Sequence, residues 1–152
     1  MNIVKTIEQY DDNNIYFCEA IKNNIMNDGS FIRILYSTHQ FVMNGIYLYI
    51  NLNDVSIEKF YNKYKCNFNA NLNKDLINNL KVIEENVLKK IIINNKIPQY
   101  KIYEQIKNGH IKVFCENNNI KFNNQFILKI SGIWETNTNY GLTYKFIKIN
   151  NQ

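Results

Sequence analysis

Residues 126–135, FILKISGIWE, and residues 142–149, LTYKFIKI, indicate the fold more clearly than any other part of the chain. Their side chains point alternately to two faces, with the period of two that is typical of a β-strand. The residues between them, TNTNYG, are polar and suit a hairpin loop. We therefore predict an antiparallel hairpin, in which Lys129 and Lys145 project from one sheet face if the pairing register brings them level.

Three other stretches have the composition of strands. They are residues 31–37 (FIRILYS), 46–51 (IYLYIN) and 110–116 (HIKVFCE). Asn44-Gly45 precedes the second of them and is a hairpin or bulge signal. If it is a hairpin turn, residues 41–43 pair with residues 46–48.

Two segments fit either a helix or a strand. Residues 57–68 can form a short amphipathic helix or a strand. Residues 100–106 lie between Pro98 and Gly109, as a helix would, but they can also be a strand that ends in a tight turn. Both alternatives stay open at this point.

One long helix is predicted over residues 74–93, where apolar side chains recur with the helical period. Asn73 can cap its start, and Pro98 follows its end. We therefore predict a single domain over residues 1–152 that is mainly β with one long helix (α+β), and specifically an OB-fold-like small antiparallel barrel. A sheet covered by the helix on one face has the same pattern and is the alternative.

Basic charge is concentrated in the later part of the chain. Residues 1–58 hold seven acids and three bases, whereas residues 59–152 hold six acids and fifteen bases. The high content of Asn, Ile and Lys is typical of an AT-rich genome, so the net charge of +5 alone says little about function. The same codon pressure acts on both parts and does not predict their difference. A one-sided basic region rich in aromatic residues suits a polyanion-binding surface.

The chain lacks the motifs of common enzyme and cofactor sites. Its five glycines form no phosphate-binding loop, and His39 and His110 occur without metal-ligand spacing. Glu84 and Glu85 are neighbours on the predicted helix and point in different directions, so we expect a solvated or salt-bridged helix face. We predict no catalytic residue, no metal, no cofactor and no enzymatic activity.

Cysteine spacing and hydropathy bear on the compartment. Cys18, Cys66 and Cys115 form no CxxC pair and are odd in number. This fits free, buried thiols in a reducing, intracellular compartment. No window reaches the about eighteen consecutive apolar residues of a membrane span, so no membrane partner is expected.

Aromatic and basic side chains occur together in several places. Residues 60–68, FYNKYKCNF, combine four aromatic rings with two lysines. Aromatic rings stack on bases, and lysines and arginines pair with phosphates, although each such residue can equally belong to a core or a solvated face. The candidate nucleic-acid-binding residues are Arg33, Tyr47, Tyr49, Lys63, Tyr64, Lys65, Lys112, Lys129, Trp134, Tyr140 and Lys145.

Two pairs of segments resemble small proteins of large nucleocytoplasmic DNA viruses. They are FIRILYS (31–37) with NGIYL (44–48), and LKISGIWE (128–135) with YGLTYKF (140–146). Among these proteins the chain resembles the OB-fold replicative single-stranded DNA-binding proteins, which are similar to those of T7-like phages. The resemblance implies an OB fold, binding without strong sequence preference, and a role in replication or repair. One departure is the segment KFIKINNQ (145–152), which has no acid where the phage-type proteins carry an acidic tail.

The leading hypothesis is a non-enzymatic protein that binds single-stranded DNA, with RNA as the alternative ligand and homo-oligomerisation left open. If the protein is viral, it would act in the host cytoplasm or at a viral replication site. The alternative is a viral protein–protein interaction module, either a host-factor antagonist or a structural subunit, without nucleic-acid binding. A basic groove lined by aromatics favours the first hypothesis, and a flat apolar patch favours the second.

Overall fold

The computed structural model describes residues 4–22, 29–60, 63–114 and 124–148. The earlier part of the chain forms a short 3₁₀ turn and seven strands: Asp12–Asn14, β1 (Ile15–Phe17), β2 (Ile21–Lys22), β3 (Ser30–Ser37), β4 (Val42–Asn44), β5 (Ile46–Asn51), β6 (Val55–Phe60) and β7 (Lys63–Phe68). The later part forms two helices and four strands: α1 (Lys74–Lys90), β8 (Ile97–Gln99), α2 (Lys101–Ile106), β9 (His110–Phe114), β10 (Gln125–Glu135) and β11 (Asn139–Lys148).

Strand β10 is the centre of the sheet. It pairs with β11 along nearly its whole length, and its other edge pairs first with β5 and then with β3. The main path across the sheet is β1-β3-β10-β11-β9-β7-β6. β1 and β6 end this path without pairing with each other, so the described strands form an open sheet. The prediction of a mainly β fold with one long helix is confirmed, but closure into an OB-like barrel is not.

One face of the sheet is covered by the helices. Along β5 and β10 the buried side chains alternate, and they include Ile46, Leu48, Phe126 and Leu128. Helix α1 buries its own apolar stripe against this face, because Leu76, Ile77 and Leu80 line the same small cavity as Ile50, Phe68 and Phe146. This arrangement matches the alternative of a sheet covered on one face by a helix. In the described part of the chain, no helix combines the length and apolar character needed to cross a membrane.

The opposite face of the sheet, which we call the outer face, carries the side chains that alternate with the core. On β5 it carries Tyr47 and Tyr49, and on β10 and β11 it carries Lys129 and Lys145. All of these side chains keep contact with solvent. The outer face is therefore the surface on which most of the predicted binding residues lie.

Asn44-Gly45 does not form a hairpin turn, which was one of the two alternatives for this signal. β4 pairs back onto β3, with Asn44 opposite Leu35, while β5 pairs with β10. Gly45 has a φ of +106° at the bend between the two strands. Because only glycine adopts this backbone conformation without strain, the bend lets the chain leave β3 and join β10. A local turn signal was present, but it marked a change of partner.

The two ambiguous segments adopt different structures. Residues 57–68 contribute to the antiparallel strands β6 and β7, with Ile57 opposite Cys66, and do not form a helix. Residues 100–106 contain the helix α2. Asn73 lies at the start of α1 as predicted, but its side chain does not cap the helix. Instead its amide bonds both the N–H and the C=O of Asn53, at 2.8 and 3.0 Å, and so ties α1 to the end of β5.

A bulge in β10 brings β3 unusually close. The register with β11 shifts between Ile130 and Gly132. A Cβ atom added at Gly132 would lie 2.3 Å from the carbonyl oxygen of Ile32 and 2.6 Å from the ring of Phe31. Moving the neighbouring backbone is energetically costly, so any side chain at position 132 would push β3 away from β10.

We expect Gly132→Ala to lower the free energy of unfolding by about 1–3 kcal/mol through overpacking. Urea unfolding would measure the change. Ser131→Ala in the same bulge adds no atom and serves as the control, with an expected change within about 0.5 kcal/mol. Equal unfolding midpoints for Gly132→Ala and the wild type would contradict the close approach of β3.

Candidate functional site

Backbone pairing places predicted binding residues side by side on the outer face. Lys129 of β10 lies opposite Lys145 of β11 on one side and opposite Tyr47 of β5 on the other. The register thus brings Lys129 and Lys145 level, as the sequence pattern predicts. On the other half of the sheet, Lys65 of β7 lies opposite Lys112 of β9.

The two pairs of lysines join into one line. β9 and β11 run parallel, with Val113 beside Phe146 and Phe114 beside Ile147. One residue earlier on both strands, Lys112 comes level with Lys145. We call Lys65, Lys112, Lys145 and Lys129 the lysine row. It crosses four neighbouring strands, and at about 4.8 Å between strands its ends are roughly 15 Å apart.

The amines of the lysine row form no ion pair within the described residues. Lys65, Lys112 and Lys145 are exposed, and Lys129 is half-buried. None of the four amines forms an ion pair or a hydrogen bond with the described part of the chain. Glu58 lies opposite Lys65 at one end of the row without pairing with it. Like charges on directly opposed positions destabilise a sheet, so the row favours an external anion that neutralises it.

Two tyrosine rings lie at the Lys129 end of the lysine row. The Nζ atom of Lys129 lies 5.5 Å from the ring centroid of Tyr47. Tyr49 follows two residues later on the same face of β5, opposite Ile127. Both tyrosine rings are half-buried and keep accessible surface, and Tyr47 also packs in part against the core. They offer π surface directly beside a line of cations.

Trp134 and Arg33 lie further along the same face. Trp134 is opposite Gly141 of β11, and the indole packs on that glycine, since an added Cβ would meet Cζ2 at 2.8 Å. The Nζ atom of Lys101 lies 4.7 Å from the Trp134 ring centroid. Arg33 is exposed and lies opposite Gly132. The predicted residues on three strands therefore share one surface with the lysine row.

Two predicted stacking residues do not belong to this surface. Tyr140 is only 5% exposed, because it is part of β11 and shares the buried face with Leu142, and is not in a loop. Stacking on a base needs an accessible ring, so the structure contradicts this role for Tyr140. Tyr64 lies opposite Val113 and packs against the core, on the face away from Lys65. Lys63, two residues before Lys65, shares the outer face.

Glu84 is not the solvated helix residue that the sequence suggests. It is 1% exposed, and its carboxylate accepts hydrogen bonds from the backbone N–H groups of Ile102 and Tyr103, at 2.9 and 3.0 Å. These N–H groups open α2, which has no side-chain cap of its own. Burial raises the pKa of Glu84 to about 7, although the two N–H bonds oppose the shift, and Glu104 adds to it. Glu84 thereby fixes the helix that carries Lys101.

Lys101 is the residue of this surface that sequence reasoning missed. It lies 33 residues before Trp134 in the numbering, and nothing in its local pattern indicates an aromatic partner. Only the packing of α2, anchored by Glu84, brings the amine to the ring. The apolar positions around Glu84 on the helical stripe are the one signal that pointed to its burial.

Two further reactive side chains among the described residues, Cys66 and Glu135, are buried or paired. Burial raises the pKa of the Cys66 thiol to about 12, so it stays protonated at neutral pH. Glu135 pairs with Lys96 and accepts a 2.7 Å hydrogen bond from the hydroxyl of Ser30, and these bonds lower its pKa. In residues 4–22, 29–60, 63–114 and 124–148, no group of three or more His, Cys, Asp or Glu side chains could hold a metal ion. Cys115 lies outside the described residues.

No protein-family model, curated protein or solved structure matches this chain. An inference about the function therefore rests on the geometry of the outer face.

The pH dependence of stability tests the Glu84 contact. The folded protein holds this proton more tightly than the unfolded chain does. Its stabilisation is complete below about pH 4.5 and is lost as the pH rises through about 7. We expect the Glu84→Gln variant to lack this pH dependence. The difference in free energy of unfolding, variant minus wild type, should therefore increase by roughly 2–3 kcal/mol from acid to mildly alkaline pH.

Chemical denaturation across this pH range measures the difference. Glu85→Gln is the matched control, because Glu85 is the next residue of α1 and is only half-buried. It is expected to keep the wild-type pH dependence. Parallel curves for Glu84→Gln and the wild type would show that the carboxylate is not held in this environment.

Proposed function

We propose that this protein is a non-enzymatic binding protein for single-stranded nucleic acid, in the first place single-stranded DNA, without strong sequence preference. The lysine row is the observation that carries the proposal. Four cations on neighbouring strands, without an acidic partner in the described residues, suit a repeated anion. A phosphate backbone is such an anion, and its neutralisation by lysines releases counterions.

The aromatic rings support a single strand over a duplex. Tyr47 and Tyr49 stand beside the row on the outer face with part of their rings accessible. Unstacked bases can lie on such rings, whereas a duplex keeps its bases inside the stack. Stacking of this kind tolerates every base, which suits binding without sequence preference. RNA offers the same phosphates and bases, so the experiment includes it.

The open face of a sheet is sufficient for this function. Closure into an OB-like barrel is not required, because every proposed contact comes from β3, β5, β7, β9, β10, β11 or α2. The OB-fold relationship and the role in viral replication or repair are proposals that rest on the sequence resemblance alone. The binding proposal rests on the geometry of the outer face and is testable without them.

Salt-dependent titration is the first test. A fluorescently labelled oligothymidylate is titrated with the protein, and anisotropy is measured at several salt concentrations. If all four amines neutralise phosphates, the logarithm of the association constant should fall with the logarithm of salt with a slope of about −3, at about 0.7 for each contact on a single strand. Competition with an oligoribonucleotide and with a duplex then shows which nucleic acid the protein prefers.

Single lysine replacements locate the interface. Lys112→Gln and Lys145→Gln change exposed side chains and should each weaken binding and reduce the salt slope by about 0.7. Lys89→Gln and Lys90→Gln remove the same charge from the exposed end of α1 and should leave both quantities nearly unchanged. Equal losses in all four variants would mean a diffuse charge effect and would exclude the row as the site.

A complete lack of binding by the wild-type protein at low salt would refute the proposal. The protein-interaction alternative would then be the one to pursue.

A further inference from the structure

We propose that the bound strand continues from the lysine row along β11 to Trp134, where a base displaces Lys101 from the indole ring and Lys101 turns to a phosphate. This inference rests on the proposed function and deepens it, because it assigns a path to the ligand and a second contact. Lys101 becomes a binding residue in this view. The positioning residue behind it is Glu84, which bonds the first turn of α2.

The distance along β11 makes the two contacts parts of one site. Lys145 lies opposite Lys129, and Gly141 lies opposite Trp134. The four residues from Gly141 to Lys145 span roughly 13 Å at about 3.3 Å per residue. Both contacts project from the outer face, so a strand of a few nucleotides can reach from one to the other without crossing the sheet.

Arg33 lies between the two contacts. It is opposite Gly132, which in turn is opposite Thr143, midway between Gly141 and Lys145 on β11. Gly132 has no side chain, and the ring of Phe31 covers this position of β10, since an added Cβ would meet that ring at 2.6 Å. Arg33 is exposed and makes no ion pair within the described residues. Arg33 therefore adds a cation on the β3 side of β10, level with a point between the lysine row and Trp134.

The Trp134 ring is held in a way that leaves one side exchangeable. It packs on the backbone of Gly141. The amine of Lys101 lies over the ring, 4.7 Å from its centroid, and this side chain is exposed and has no acidic partner among the described residues. A cation–π contact at an exposed site is worth less than a base stacked on an aromatic ring. A base can therefore replace the amine, and the amine remains free to pair with the phosphate of the same nucleotide.

Ligand length separates this inference from the proposed function. The probes are oligothymidylates of about three and about twelve nucleotides, below and within the range of about 4–16 nucleotides bound by comparable single-strand domains. The short probe should bind the lysine row alone, and the long probe should reach both contacts. Wild-type Trp134 fluorescence should thus be quenched by the long probe and much less by the short one, without any substitution.

Variants provide the second readout. Trp134→Leu should weaken binding of the long probe by roughly tenfold and leave the short probe nearly unchanged. Lys101→Gln should reduce the salt slope by about 0.7 for the long probe only. Lys145→Gln, the control in the row, should weaken both probes.

Two results would overturn the inference and are distinct. If the lysine-row variants lose affinity while Trp134 is not quenched and Lys101→Gln binds the long probe as wild type does, the path along β11 is wrong and the proposed function stands. If neither probe binds the wild-type protein, the proposed function fails and this inference fails with it.

Discussion

The hydrogen-bonded register between β10 and β11 is the constraint on which both the core and the outer face depend. It puts Phe126 and Leu128 under the helices, and it sets Lys129 level with Lys145 on the other side. A slip of one residue would move every side chain of one strand to the opposite face. The apolar face is too large to be moved into water, so core burial fixes the position of the lysines as well. Core packing therefore also fixes where the side chains of the outer face lie.

A buried carboxylate gives α2 its position. A short helix with unsatisfied N–H groups at its start has little stability of its own. Glu84 satisfies two of these groups from the neighbouring helix, and burial of its carboxylate raises its pKa. Removing the carboxylate would leave these two donors without acceptors, at a cost of about 1–3 kcal/mol for each buried donor. The same contact that completes the core thus holds Lys101 above Trp134.

The number of lysines and their positions in the sheet carry different information about this protein. An AT-rich genome raises the number of lysines everywhere in the chain, and a high count is therefore uninformative. Codon pressure does not align four lysines on four neighbouring strands, with Tyr47 at the end of the line. Such an alignment works against folding through repulsion between like charges. This unfavourable alignment is the observation on which the proposed anionic ligand rests.

The sequence by itself determined the elements whose signal is local: the hairpin of β10 and β11, the helix α1, and the side on which a residue lies in a strand without a bulge. That is why Lys129 and Lys145, and Tyr47 and Tyr49, were correctly placed on common faces. Strict alternation along residues 126–135 puts Trp134 on the face of Phe126, and the bulge between Ile130 and Gly132 moves it to the outer face. Tertiary structure alone decided which strands are neighbours, since pairing joins residues far apart in the chain. It turned the Gly45 bend from a hairpin into a change of partner, buried Tyr140, and completed the lysine row. Period and spacing describe one element at a time, whereas burial and alignment depend on what packs against it.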